Sequence, residues 1–278
     1  MNLSEVKRIL TEKGIRLRKK WGQNFLFDRG ILHSIVQAAE VSKADLVVEV
    51  GPGAGTLTEH LLETGAKVIA VEIDRGLCDV LNEHYGDRSG LKLFSADILK
   101  CNINQLIKDS KFTGFKYIKV VSNLPYYITS PVIMYFLESG IAIKQMLVTV
   151  QKEVAERITA QPGTKDYGIL SIASQFYADI KICRKIRKEC FFPVPKVDSS
   201  LVKFDIYDKP KFKVKDKDLF FSIVKKSFSQ RRKTIKNNLQ DFDGADILKV
   251  LSDCNIDPSR RPETLSIEEY VKIAGNLA

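Results

Sequence analysis

Apolar residues recur along this chain in two rhythms. Val6, Ile9 and Leu10 fall at helical spacing, and so do the apolar positions of 31–39, predicting two N-terminal helices. Short apolar runs then alternate with helical stretches. Residues 46–50 form a brief apolar run closed by glycines, and a helix-like stretch starts at Thr56. A strand is expected over 67–73, a helix to about Tyr85, and further strands over 91–94 and 117–122. Residues 146–151 and the stretches near Ile180 and Val202 complete the set. Strands separated by helices predict an α/β domain with a largely parallel sheet.

After Tyr207 the pattern changes. Residues 208–218 form a Lys-rich linker, and only helical periodicity follows. The expected organisation is therefore a large α/β domain over 1–207 and a small all-helical domain over 208–278. A chain of 278 residues has room for both. Residues 219–239 read as one amphipathic helix, with Phe220, Val224, Phe228, Ile235 and Leu239 on one stripe.

Charge adds a partner to this picture. The formal net charge is +10, and residues 181–236 hold 18 Lys and Arg against 6 Asp and Glu. The excess thus belongs to one stretch, as a binding face for a polyanion requires. Lys225, Lys226, Arg231, Arg232, Lys233 and Lys236 lie between Leu219 and Leu239 with no acid among them, which favours phosphate contact over a merely solvated face. Arg184, Lys185, Arg187, Lys188 and residues 16–20 extend that surface. The five cysteines (Cys78, Cys101, Cys183, Cys190, Cys254) show no C-x-x-C spacing, so neither a zinc site nor a disulfide framework is implied. The three histidines lack metal-ligand spacing, and no metal is expected. Without a signal-like apolar core or a membrane-length apolar run, a cytoplasmic protein with no membrane partner is expected. The absence of a heptad seam makes a monomer the expectation.

Two sets of residues carry chemistry. In Val48-Glu-Val-Gly-Pro-Gly-Ala-Gly-Thr56, Gly51, Gly53 and Gly55 follow a strand and precede a helix, where glycines let the backbone turn and approach a ligand. Glu72 ends the next strand, where a carboxylate can accept ribose hydroxyls, and Asp97 follows the third, where it can receive an adenine amino group. An adenosine pocket follows, open to a dinucleotide as well. Asn123-Leu-Pro-Tyr126 after the fourth strand decides between them. The Asn123 side-chain oxygen and the Leu124 carbonyl can both accept from an exocyclic amine. Pro125 stiffens the turn, and Tyr126 offers a flat face for a base. Attack on a cationic methyl donor needs no strong base, so positioning and electrostatics should dominate.

On these residues the chain resembles the ribosomal RNA adenine dimethyltransferases. The likeness runs through Gly22-Gln-Asn-Phe-Leu26, the glycine loop, Glu72, Asp97, Asn123-Leu-Pro-Tyr126 and Gln151-Lys-Glu-Val154. It continues in Tyr167-Gly168, in 191–199 from Phe191 to Ser199, and in 227–239 from Ser227 to Leu239. The resemblance implies a Rossmann-like class I methyltransferase sheet with helices on both faces. It also implies S-adenosyl-L-methionine as cofactor, lined by Asn24 and Leu26 together with Gly51, Gly53, Glu72, Asp97 and Asn123. Phe191 becomes a candidate second face for the base, beside its plain reading as an apolar strand residue. Tyr127 departs from members that carry Asn there.

The resemblance further implies dimethylation of two adjacent adenosines in a hairpin near the 3′ end of 16S rRNA, within the immature small ribosomal subunit. The nearest alternative is the large-subunit branch that confers macrolide resistance. The 231–239 segment looks like the small-subunit branch. A non-catalytic assembly factor and a nicotinamide-dependent oxidoreductase stand further off, since neither explains an intact Asn123-Leu-Pro-Tyr126.

Overall fold

The computed structural model describes residues 3–15, 22–230 and 232–278. In chain order the elements begin with helix α1 (Leu3–Glu12), strand β1 (Phe25–Leu26) and helix α2 (Arg29–Ala38). Then come β2 (Asp45–Val50), α3 (Thr56–Glu63), β3 (Lys67–Glu72), α4 (Arg75–Tyr85) and β4 (Leu91–Ser95). They are followed by α5 (Ile103–Ser110), β5 (Tyr117–Asn123), α6 (Thr129–Leu137), β6 (Ile143–Gln151), α7 (Lys152–Thr159) and α8 (Ile169–Tyr177). The rest are β7 (Ala178–Ile186), β8 (Phe191–Phe192), β9 (Ser199–Ile206), α9 (Lys217–Ser227), α10 (Ile235–Leu239), α11 (Ile247–Asp253) and α12 (Ile267–Leu277).

Seven strands form one sheet in the order β4-β3-β2-β5-β6-β9-β7, and β1 pairs with β8 apart from it. The β2–β3, β3–β4, β2–β5 and β5–β6 pairs are parallel, whereas β9 runs antiparallel to β6. This is the Rossmann-like arrangement expected. Every residue of β2 is buried, as a central parallel strand covered on both faces must be. On one face Val47, Val68, Val121, Leu147 and Leu201 pack against Leu32 and Ile35 of α2 and Leu57 and Leu61 of α3. Strand register carries that same face to Glu49, Glu72, Asn123, Thr149 and Ser199 at the carboxyl edge of the parallel strands. Apolar residues thus hold the sheet together, and polar residues on the same face supply the site. Below them, Lys119 donates to Asp45 (3.1 Å) and to the Ala39 and Glu40 carbonyls, fastening the entry to β2.

The chain divides into two compact units, Met1–Ala155 with Asp179–Asp208, and Glu156–Ala178 with Lys209–Ala278. A single boundary at 207 is therefore too simple, because residues 156–178 group with the C-terminal segment. Their apolar side chains explain it. Tyr167, Ile172 and Phe176 belong to the cluster that holds Phe212, Phe220, Ile223, Leu251 and Tyr270. Phe176 alone lies 4.9 Å from the Phe220 ring centroid and 5.6 Å from that of Phe212. Gln175 Nε2 donates to the carbonyls of Ile158 and Ala160, tying the segment to itself.

The expected single helix over 219–239 is two helices, α9 and α10. Its apolar stripe persists, with Phe220, Val224, Ile235 and Leu239 all fully buried. Asn238 braces the turn between them. Its buried amide donates to the carbonyls of Gln230, Lys233 and Thr234 and accepts from the Gln230 N–H. Thr234 then caps α10 by accepting from Asn237 N–H.

Candidate functional site

The glycine loop between β2 and α3 is shaped by its protein neighbours. Gly51 has φ +64°, and a Cβ there would lie 3.0 Å from Pro125 Cγ. Gly53 has φ +61°, and its Cβ would lie 2.5 Å from Phe25 Cε1. Close approach to a ligand was the sequence-based reason for these glycines. The structure supplies another, since Pro125 in the turn after β5 and Phe25 of β1 occupy the space a side chain would need. The Gly53 N–H donates to Glu72 Oε2 (3.1 Å), and Asp74 N–H donates to Glu72 Oε1 (2.9 Å). Glu72 is 4% exposed, and burial raises its carboxyl above the ordinary range while these two N–H donors oppose the rise. Each carboxylate oxygen keeps acceptor capacity beyond these bonds.

Asn24, Leu26, Gly51, Gly53, Glu72 and Asp97 line one cleft, and Asn123, Leu124, Pro125 and Tyr126 line it too. Asp97 is half-buried and caps the turn after β4, its Oδ1 accepting from Leu99 N–H (3.1 Å). The Gly22–Leu26 segment closes over the turn. Asn123 Nδ2 donates to the Asn24 carbonyl (2.9 Å), and Asn24 Nδ2 donates to the Gly22 carbonyl. A carbonyl can only accept, so this bond commits the Asn123 NH2 group and leaves its oxygen over. That oxygen, Oδ1, is buried with no hydrogen-bond partner among the described residues. An unpaired buried acceptor costs about 1–3 kcal/mol. Leu124 N–H donates to the Thr149 carbonyl (3.3 Å), and the Tyr126 hydroxyl meets Ser199 Oγ at 2.6 Å.

Glu49, Ile73 and Ile98 are among the further residues that line the cleft and that motif reading missed. Glu49 is 1% exposed, accepts from Thr58 Oγ1 (2.7 Å), and has its carboxyl pushed up to about 8, first by burial. An acid inside an apolar run was its signal. Ile73 and Ile98 follow Glu72 and Asp97 directly and give the cleft apolar walls. The repeated acid–isoleucine pair was legible once the acids were chosen.

Phe191 is a correction. It is 1% exposed and packs with Leu26, Ile31 and Leu201, because the antiparallel β1–β8 pairing sets it opposite Leu26 within the core. It does not line the cleft, and its plain reading as an apolar strand residue is the one the structure supports. Tyr127 lines the cleft with a 46% exposed ring. Lys225 and Lys226 are exposed in the last turn of α9, Arg232 and Lys233 between the helices, and Lys236 on α10. Arg231 and residues 16–20 lie outside the described residues. Arg184 and Lys185 are exposed on β7, the outermost strand, where cations also discourage edge pairing, and Arg187 is exposed just beyond it. Among the described residues no His, Cys, Asp and Glu gather into a metal-holding group, and no helix is long and apolar enough to cross a membrane.

The family model of ribosomal RNA adenine dimethylase matches residues 14–278. The chain belongs to the ribosomal RNA adenine dimethylase family. It is an S-adenosylmethionine-dependent rRNA adenine dimethyltransferase. Among dimethylase relatives it is similar to the ribosomal RNA small subunit methyltransferase A of Alkaliphilus oremlandii, 46% identical over 99% of this chain and 96% of that protein. The protein of the same name from Clostridioides difficile is 45% identical over 95% of this chain and 92% of its own length. In fold it resembles the dimethyladenosine transferase of Plasmodium falciparum, with a TM-score of 0.76 and 24% identity over 91% of this chain and 97% of that one. The 23S rRNA methyltransferase ErmE follows at 0.66 and 24% identity, over 91% of this chain and 99% of its own.

Proposed function

We propose that this dimethyltransferase acts on small-subunit ribosomal RNA, at two adjacent adenosines in a hairpin near the 3′ end of 16S rRNA within the immature subunit. The small-subunit name of relatives at 45–46% identity supports that choice of substrate. Asn24, Leu26, Gly51, Gly53, Glu72 and Asp97 hold the cofactor, and Asn123, Leu124, Pro125 and Tyr126 hold the base. S-adenosylmethionine, when bound, supplies an electrophilic methyl group.

The observation that carries the reading is the unpartnered, buried Asn123 Oδ1 beside a cleft with two adenosine-type carboxylates. The lone pair of an adenine amine is delocalised into the ring. Asn123 Oδ1 and the Leu124 carbonyl accept the two amine N–H groups, favouring a more tetrahedral nitrogen whose lone pair is free to attack. The proton is lost late, to water as the methylated base leaves, from a nitrogen already made acidic by methylation, so no side-chain base is needed. Tyr126 stacks on the base and excludes water. The exposed cations Lys225, Lys226, Arg232, Lys233 and Lys236, with Arg231, contact phosphates, and the helical segment 208–278 is the RNA-binding part. Such contacts position RNA without reading its sequence. Selection of the adenosine rests on RNA shape and extrusion of an unstacked base.

Asn123→Ala tests the acceptor role. We expect methyl transfer to fall about 100- to 1,000-fold, the range seen when one oriented polar contact to a reacting group is removed. RNA affinity should stay within a factor of two or so, because phosphate contacts dominate it. Equal losses of RNA binding and activity would contradict the assignment.

A further inference from the structure

The 191–199 segment enters the family pattern, yet its phenylalanine does not reach the cleft. Its last residue does something else. Ser199 opens β9, is fully buried, and lies in register with Gln151 at the sheet edge that carries Asn123. Its Oγ is 2.6 Å from the Tyr126 hydroxyl, a short bond even for two hydroxyls. The base turn is therefore fastened at three points. Asn123 is tied to the Asn24 carbonyl, Leu124 N–H to the Thr149 carbonyl, and the far end of Tyr126 to β9. The first two bonds fix the backbone of the turn and its amide. Only the third acts on the aromatic ring.

Stacking needs a flat face, which phenylalanine would provide as well as tyrosine. The hydroxyl therefore calls for its own account. A tyrosine ring swings about its first side-chain bond and spins about its second, and a bond at its para oxygen to a residue held in a strand stops the swing, fixing where the ring lies. Burial raises the Tyr126 hydroxyl above its ordinary pKa, so it remains a neutral donor or acceptor toward Ser199. We propose that Ser199 is a positioning residue for methyl transfer, acting through Tyr126 to hold the ring in the place where a base stacked on it lies in line with the methyl donor. The proposal rests on Tyr126 as the stacking face.

The test is a double-mutant cycle in the full-length protein with Ser199→Ala and Tyr126→Phe, read as kcat at saturating S-adenosylmethionine and RNA. Each single variant should lose about five- to twenty-fold, the value of one buried hydrogen bond to an oriented group. The double variant should lose no more than either single, since both remove the same bond. Ser199→Thr, which keeps the hydroxyl, should recover most of the rate. Dissociation constants for S-adenosylmethionine should not change in any of the four. RNA carrying 2-aminopurine at the target position should be less quenched on binding to Ser199→Ala than to the unaltered protein. Multiplying losses in the double variant, or full activity in Ser199→Ala, would overturn the inference. Tyr126→Ala separates the two levels: full activity there would sink the stacking role itself. Loss in Tyr126→Ala with none in Ser199→Ala would sink only the positioning role.

Discussion

Gly53→Ala tests whether the glycine loop is shaped by the protein or by a ligand. The added Cβ would fall 2.5 and 2.6 Å from two carbons of the Phe25 ring, closer than carbon atoms pack. The residue would also have to keep φ near +61°. The left-handed conformation costs a non-glycine residue about 1–2 kcal/mol. Overpacking a filled site costs about 1–3 kcal/mol, so the loss should total about 2–5 kcal/mol. The loop would move away from Phe25, drawing the Gly53 N–H from its 3.1 Å bond with Glu72. Cofactor affinity should therefore fall at least tenfold, on the order of one charge-assisted hydrogen bond. Phe25→Leu, combined with Gly53→Ala, should restore the steric part and leave the backbone part. Thermal melting and calorimetric titration of S-adenosylmethionine on the four proteins of the cycle would read both effects. Additive losses would refute the reasoning, since they would mean that the ring is not what Gly53 makes room for. Unchanged stability and affinity in Gly53→Ala would refute it as well.

Three other outcomes are expected. Replacing Arg231, Arg232 and Lys233 with Gln should weaken RNA binding and lower the slope of log affinity against log salt by about 2–3, as three lost phosphate contacts require; an unchanged slope would remove that segment from the interface. Phe191→Ala should act through the core, lowering stability by about 3–5 kcal/mol in chemical denaturation; a loss of activity without that destabilisation would return Phe191 to the base site. Glu49 holds its proton up to about pH 8 when folded and releases it near the ordinary carboxyl value when unfolded, so the folded state binds more protons between the two. Stability should accordingly decline as pH rises through that window. Glu49→Gln should flatten the decline, its melting temperature gaining on the unaltered protein from pH 5 to pH 8; parallel melting curves across that range would contradict it.

The parallel sheet was legible because its central strands are buried on both faces and read as apolar runs, as at 68–71. The site was legible because its side chains follow those runs directly. Glu72, Asp97 and Asn123 each sit where a strand ends, and topology gathers such ends at one sheet edge. Long-range packing was not legible. Nothing local marks Phe25 as the occupant of the space above Gly53, or Leu26 as the strand partner that draws Phe191 inward. Periodicity joined α9 to α10 because their apolar stripe is continuous, and it carries no mark of the turn that the buried Asn238 amide braces by reaching back to Gln230. Residues 156–178 likewise read as part of the α/β domain by position, until Tyr167, Ile172 and Phe176 are seen to fill the second core.

The most direct test of the account is methyl transfer from labelled S-adenosylmethionine to unmethylated small and large ribosomal subunits, with the modified nucleoside identified. The account predicts dimethyladenosine confined to small-subunit RNA. Label in large-subunit RNA would contradict the proposed substrate, and tight RNA binding with no label in either subunit would contradict the chemistry assigned to Asn123.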